Sequence, residues 1–194
     1  MQLEDAELVR RSKQGDIGAF NQIVERYQAR VFNLSARILG NRTTAEDAAQ
    51  ETFISAYRAM DKFRGGSLQA WLLRIASNAC YDILRSSKRR PEDSLDESLE
   101  NPTFQVASGG VTPEQYTLDS ELGGEIQRAI LDLPEDQRII LVLIDVQGGT
   151  YEEASEITGA SLGTVKSRLS RARARVRDYL REHRELLPEE FRHV

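Results

Sequence analysis

Wherever apolar residues recur in this chain they do so at helical spacing, and almost no segment alternates with the period of two that a half-buried strand needs. That restricts the chain to an all-α fold. A short helix is expected over Asp5 to Arg11, broken near Gly15. Asp16 can cap a long helix whose inner side is Phe20, Ile23, Val24, Tyr27, Val31, Leu34 and Ile38, and Gly40 can end it. Thr43 and Glu46 have capping-box spacing ahead of the stripe Ala45, Ala48, Ala49, Thr52, Phe53, Ala56 and Met60. After a loop from Asp61 to Gly66, Ser67 can cap a further helix. Its inward residues are Trp71, Leu72, Ile75, Ala76, Ala79, Cys80 and Ile83.

That first bundle covers 1–90. The stretch from Ser86 to Thr117 has no apolar period and holds Pro91, Pro102, Pro113, Gly109 and Gly110. Its acidic, Ser-containing composition cannot bury enough surface to fold alone. We place a flexible acidic linker at 91–119. Its 29 residues reach roughly 100 Å fully extended and about 30 Å as a coil. A second bundle, 120–194, begins with a helix from Glu121 to Leu131 carrying Leu122, Ile126, Ala129 and Ile130 inward. Pro134, Glu135 and Asp136 restart a helix, with Pro in the first turn and acids near its positive end. Ile139 to Val146 fills the core and Gly148-Gly149 stops it. The architecture is two small helical bundles joined by the linker.

The second bundle ends in TYEEASEITGASLGTVKSRLSRARAR, Thr150 to Arg175. Thr150 and Glu153 form a capping box, Ala154 and Ile157 point inward, and Gly159 permits a left-handed turn. Ser161 can cap a second helix with Val165, Leu169 and Ala172 inside. The opposite face offers Thr164, Lys166, Ser167, Ser170 and Arg171, with more arginines around them. A helix-turn-helix of this kind suits the DNA major groove, where Arg reads guanine edges and Ser or Lys holds phosphates or bases. An ordinary helical hairpin with a solvated basic face has the same local pattern.

Charge separates these choices better than its total. The net charge is −5, but six basic residues against Asp82 alone lie between Arg64 and Arg90. Eight acidic and no basic residues lie between Pro91 and Glu121. Eight Lys or Arg against Asp178 and Glu182 lie between Leu162 and Arg184. Two cationic modules around an acidic strap fit a nucleic-acid partner. On the helix from Ser67, Arg74, Asn78, Tyr81 and Arg85 form one polar stripe opposite the core stripe. Cations, an amide and an aromatic ring on one face suit phosphate contact, base hydrogen bonding and stacking. The adjoining loop, Phe63-Arg64-Gly65-Gly66-Ser67, lets backbone approach a strand. A solvated face with one half-buried Tyr is the plainer reading. On the preceding helix, Glu46, Asp47, Gln50, Glu51 and Arg58 surround an outward Ile54, which looks like a protein-docking face. Ordinary solvated charge is the alternative there.

Catalysis has little support. The two histidines, His183 and His193, fall in the C-terminal tail, so neither a histidine-centred metal site nor a Ser-His-Asp triad is expected in either core. No Gly-rich phosphate loop with its Lys is present. Cys80, the single cysteine, falls on an inward position, and a buried core thiol is expected. The longest apolar run, Ile139 to Ile144, is too short to span a bilayer, and MQLEDAELVRR has no apolar signal core. These points favour the cytoplasm.

Four segments, in order, resemble the extracytoplasmic-function (group four) sigma factors of bacterial RNA polymerase. DAELVRRSKQGDIGAFNQIVERY is similar to the start of that family's region two, and AEDAAQETFISAYRAMDKF to its segment docking on the clamp helices of the largest subunit. WLLRIASNACYDILR resembles the part that melts and reads the minus-ten element. LPEDQRIILVLIDVQGGTYEEASEITGASLGTVKSRLSRAR resembles region four, which reads the minus-thirty-five element. The resemblance implies polymerase contact through Asp47, Gln50, Glu51 and Ile54. It implies minus-ten recognition through Asn78 and a loop from Phe63 to Gln69 holding a flipped base. The polar stripe then assigns Phe63, Arg64, Ser67, Gln69, Arg74, Asn78, Tyr81 and Arg85 to that element. Upstream recognition falls to Thr164, Lys166, Ser167, Ser170 and Arg171. The linker would run through polymerase near its active centre.

Two departures stand out: Gly148-Gly149-Thr150 replaces a single Gly followed by Leu or Ser, and Ala154-Ser155 replaces Ile-Ala. The expected protein is a promoter-specific initiation factor that is not an enzyme and needs no cofactor or metal. Its partners are core RNA polymerase, promoter DNA and, as in many members of the family, an anti-sigma factor. A conventional dimeric helix-turn-helix regulator and an all-α metal-dependent phosphohydrolase are the rivals.

Overall fold

A computed structural model describes residues 4–89, 113–183 and 185 of the chain, and among these the regular structure is entirely helical. In order these are α1 (Asp5–Lys13), α2 (Ile17–Leu39), α3 (Arg42–Arg58), a 3-10 turn at Met60–Lys62, α4 (Leu68–Arg89), α5 (Pro113–Leu131), α6 (Glu135–Leu141), α7 (Tyr151–Thr158) and α8 (Leu162–Glu182). The expected linker lies outside the described residues up to 112. Its last part, from Pro113, instead forms the opening turns of α5, well before Glu121.

Local chemistry fixes most of the ends. Asp16 accepts from the Ala19 amide at 3.0 Å and pairs with Arg11 at 2.6 Å. The amide bond first, and the Arg11 bond next, hold its carboxyl below the usual carboxylate range. Gly40 ends α2 at φ 74°, with its amide donating to the Ala36 carbonyl. At α3 the cap is Asn41, not Thr43. Its side chain accepts from the Thr44 amide at 2.9 Å, so the helix starts at Arg42, two residues earlier than the Thr-Glu spacing implies. Ser67 caps α4 by accepting from the Ala70 amide at 3.1 Å.

After Leu141 the helix widens through Val142–Val146, where the Gln147 amide donates to the Val142 carbonyl five residues back at 2.9 Å. The paired glycines that follow have distinct duties. Gly148 sits at φ 71°, and a Cβ on Gly149 would lie 2.8 Å from the Leu143 carbonyl oxygen. A single Gly would meet only one of these demands.

α1 to α4 pack as one group, with α2 at its centre, and α5 to α8 as another. The stripes read from sequence face inward: Ala45, Ala48, Phe53 and Ala56 on α3, Met60 in the turn after it, and Leu72, Ala76 and Cys80 on α4, are buried. The two groups are not separate. One hydrophobic core runs from Leu8 and Ile23 through Leu72 to Ile139, Val165 and Leu169. α4 lies along α7, and α2 along α5. The two bundles expected from the sequence are present, and their cores meet in one continuous cluster.

Candidate nucleic-acid and protein interfaces

α3 presents its acidic side to solvent. Asp47, Gln50 and Glu51 are exposed, and Ile54 is 44% exposed beside them. The inner side of the same helix is closed by alanines, which let α2 and α4 approach closely while the outer side stays free. Glu51 accepts from the Ser55 hydroxyl at 3.0 Å. Tyr57, also 44% exposed, makes an edge-on contact with Phe20, ring centroids 4.9 Å apart.

The α4 stripe divides into two parts. Arg74, Asn78 and Arg85 are exposed along the helix. Tyr81 is half-buried under the second group of helices. Burial, with the Asp136 carboxylate next in weight, raises its hydroxyl pKa, while Arg168 acts the other way. Gln69 is also half-buried and accepts from Arg30 of α2.

The loop before α4 is tied down at both ends. Phe63 is turned inward, 7% exposed, with its ring 5.2 Å from that of Trp71. Its carbonyl accepts from Lys13 Nζ at 2.6 Å. The ring therefore anchors the loop and is not offered for stacking. What the loop presents outward is Arg64, the positive-φ pair Gly65 and Gly66, and Ser67.

In the helix-turn-helix, the capping box of Thr150 and Glu153 is complete in both directions, at 3.1 and 2.8 Å. Gly159 turns at φ 69°, and Ser161 accepts from the Thr164 amide at 3.1 Å. Ser155, one of the departures noted in the sequence, donates to the Ala160 carbonyl at 2.6 Å and so pins the turn. Val165, Leu169 and Ala172 are buried, which orients Lys166, Ser167, Ser170 and Arg171 outward on α8. Thr164 is half-buried at the N-terminus. Lys166 Nζ lies 5.8 Å from the Tyr151 ring centroid, and Ser167 donates back to the Thr164 carbonyl at 3.0 Å.

Composition overstated the free charge of α8. Arg168 pairs with Asp136 at 2.8 Å, and Arg173 makes a two-pronged pair with Asp145 at 2.6 and 2.9 Å. The Asp145 hydrogen bonds raise the Arg173 pKa further above its ordinary value. Lys166 and Arg171, by contrast, have no salt bridge among the described residues. The sequence reading also missed a polar set joining the two helical groups, Arg37, Gln127 and Arg138, together with a buried carboxylate, Glu125, paired with Arg128. Periodicity carries no signal for such residues, because a bonded polar side chain replaces an apolar one at an inward position.

Residues 23–90 match the family model for sigma-70 region 2, and residues 123–176 match that for sigma-70 region 4. The chain is 43% identical over 176 residues to the ECF RNA polymerase sigma-E factor of Haemophilus influenzae, covering 89% of this chain and 93% of that one. The chain belongs to the ECF sigma factors. The sigma factor SigE of Mycolicibacterium smegmatis is 36% identical over 170 residues, and the match spans 88% of this chain but 65% of that longer protein. Among solved structures, the sigma factor RpoE of Bartonella quintana, in complex with the anti-sigma factor NepR, superposes with a TM-score of 0.66 at 30% identity. That match covers 84% of this chain and 98% of the other. Sigma factors direct promoter-specific initiation of transcription, and the two matched regions fall on the two helical groups described above.

Proposed function

We propose that the first helical group, 1–90, docks on core RNA polymerase and opens the minus-ten element, and that the second, 120–194, reads the minus-thirty-five element as duplex. Polymerase contact falls to Asp47, Gln50, Glu51 and Ile54, where an apolar side chain ringed by carboxylates meets the clamp helices. Arg64, Ser67, Gln69, Arg74, Asn78, Tyr81 and Arg85 handle the separated strand, with Phe63 holding their loop in place. Thr164, Lys166, Ser167, Ser170 and Arg171 enter the major groove.

The observation that carries this reading is the orientation of α8. Its buried Val165, Leu169 and Ala172 leave one outward face of Lys166, Ser167, Ser170 and Arg171. Such a face can make both phosphate and base-edge contacts. The acidic strap between the groups passes through polymerase, where its carboxylates occupy ground a nucleic-acid strand would take.

The factor works without an active site or cofactor of its own, since polymerase supplies the chemistry. No described helix is long and apolar enough to cross a membrane; a factor working on RNA polymerase acts in the cytoplasm. The complex of the Bartonella relative makes an anti-sigma protein a further partner. Sizing the chain with and without core polymerase tests the reading. A one-to-one complex, with weak DNA binding by the free chain, supports it. A free dimer binding palindromic DNA without polymerase indicates a conventional regulator instead.

A further inference from the structure

The loop ahead of α4 is held on both sides by groups that lie outside it. Phe63 is fixed through its amide, its ring and its carbonyl. The amide donates to the Met60 carbonyl at 3.1 Å, the ring lies 5.2 Å from that of Trp71, and the carbonyl accepts from Lys13 Nζ at 2.6 Å. On the other side Ser67 caps α4, and Gln69 accepts from Arg30 of α2. Between these anchors Arg64, Gly65, Gly66 and Ser67 are exposed. Both glycines have positive φ, and a Cβ on either would meet nothing within 4 Å. The turn itself therefore has no packing to hold its shape, and its anchors must do so.

Lys13 is the anchor that comes from farthest away, 50 residues earlier in the chain. It stands in the last turn of α1, where a lysine ordinarily faces the unpaired carbonyls of its own helix end. Here it reaches across to the Phe63 carbonyl instead. The helix that carries it is a firm base. Leu8 and Val9 are buried in the core, Asp5 at its start binds Arg26 and Tyr27 of α2, and Arg11 pairs with Asp16 at 2.6 Å. The burial of the Phe63 ring and the capping of α4 do not require Lys13. Its bond acts on the backbone of the residue that leads into the exposed turn. A hydrogen bond from a cation is stronger than a neutral one, and a turn held in its binding shape has less freedom to lose on binding.

We infer that Lys13 is a positioning residue for reading of the minus-ten element. From α1 it holds the turn at Arg64 to Ser67 in the shape that takes a flipped base, and it does so through the Phe63 carbonyl without touching DNA. The inference rests on the functional reading of Phe63 to Gln69 as the loop that holds that base.

The experiment compares holoenzymes carrying the parent chain, Lys13→Met or Lys13→Arg on a premelted promoter template. One form of the template is intact and the other has an abasic site at the flipped minus-ten position. Lys13→Met keeps an apolar stem and removes the donor. It should weaken binding to the intact template about fivefold, since Lys13 is exposed and its bond is worth less than a buried one, and Lys13→Arg should restore most of the loss. On the abasic template the parent and Lys13→Met should bind equally, with the same salt dependence on both. In the free chain, amide exchange at Gly65 and Gly66 should quicken in Lys13→Met while α1 and α4 stay protected. Parent-like binding of Lys13→Met to the intact template, or unchanged exchange in the turn, overturns the positioning role. An equal defect on the abasic template, or a salt slope smaller by about one, puts Lys13 on a phosphate and overturns it as well. If the parent itself binds both templates alike, the base-holding reading of the loop falls and takes this role with it. A parent that needs the base beside an indifferent Lys13→Met leaves that reading standing and removes Lys13 alone.

Discussion

Cys80 packs on the inner side of α4 with no solvent exposure, and burial pushes its thiol up to about 11, with the Ser35 hydroxyl acting the other way. A raised pKa in the folded chain means that folding favours the protonated thiol. The associated stability is complete below the ordinary thiol value of about 8.5–9 and is lost as pH rises through about 11. Denaturation midpoints should therefore fall between pH 9 and 11, and Cys80→Ala should remove about 2–3 kcal/mol of that dependence. Tyr27, raised to about 12, adds to the fall above pH 10 and leaves a residual slope in the variant. At neutral pH, alkylation of Cys80 should proceed only as fast as the chain opens.

Arg171 is a different kind of residue, exposed and without a salt bridge among the described residues. Arg171→Ala should cost about 1–3 kcal/mol if it reads a base, and should relax the upstream sequence preference. If it holds phosphate, binding falls evenly across sequences and its salt dependence weakens. A titration of holoenzyme against a panel of upstream elements distinguishes the two. No change of either kind would place Arg171 outside the groove. Sequence could nominate Arg171, because Val165, Leu169 and Ala172 fix the inner side of its helix. It could not show that Arg168 and Arg173 are taken by Asp136 and Asp145, since those partners are distant in the chain and lie on another helix.

On α3 the like-charged Asp47 and Glu51 stand four residues apart, an arrangement that slightly weakens an isolated helix. Asp47→Lys with Glu51→Lys should leave helicity intact and weaken core polymerase binding roughly tenfold or more, as loss of a desolvated charge partner does. Equal affinity for parent and variant would remove α3 from the docking surface.

On α4, Asn78→Ala should reduce formation of the open complex while sparing polymerase binding and upstream recognition. A template already mismatched across the melted region has the cost of base opening supplied in advance, so a melting defect should shrink on it. Normal permanganate reactivity of the minus-ten thymines in the variant would reject the site. Helices were legible because α2, α3, α4 and α8 each bury one clean stripe, and the starts of α2, α4, α7 and α8 because Asp16, Ser67, Thr150 and Ser161 cap them. The start of α3 was misjudged because Thr43 and Asn41 are both good caps, and local spacing cannot choose between them. The start of α5 at Pro113 was hidden because acidic, proline-containing sequence also suits a helix's first turn.

At the scale of the whole molecule, the order of the two helical groups and the acidic segment between them was readable from composition. Their union was not. Leu131 reaches Gly40 and Arg138 reaches the Ile38 carbonyl across the shared core, contacts between residues far apart in the chain that leave no periodic trace. The same union leaves the α3 and α8 faces open and the α4 stripe partly covered. The central claim is that one chain specifies a promoter through two separate readers. Mapping transcript starts from a genomic promoter pool, with core polymerase and this chain, tests it most directly. The account predicts starts that depend on the chain and are preceded by two motifs at a fixed separation, with Asn78→Ala altering use of the downstream motif and Arg171→Ala the upstream one. Starts that are unchanged when the chain is left out, or a single motif unaffected by either substitution, would contradict it.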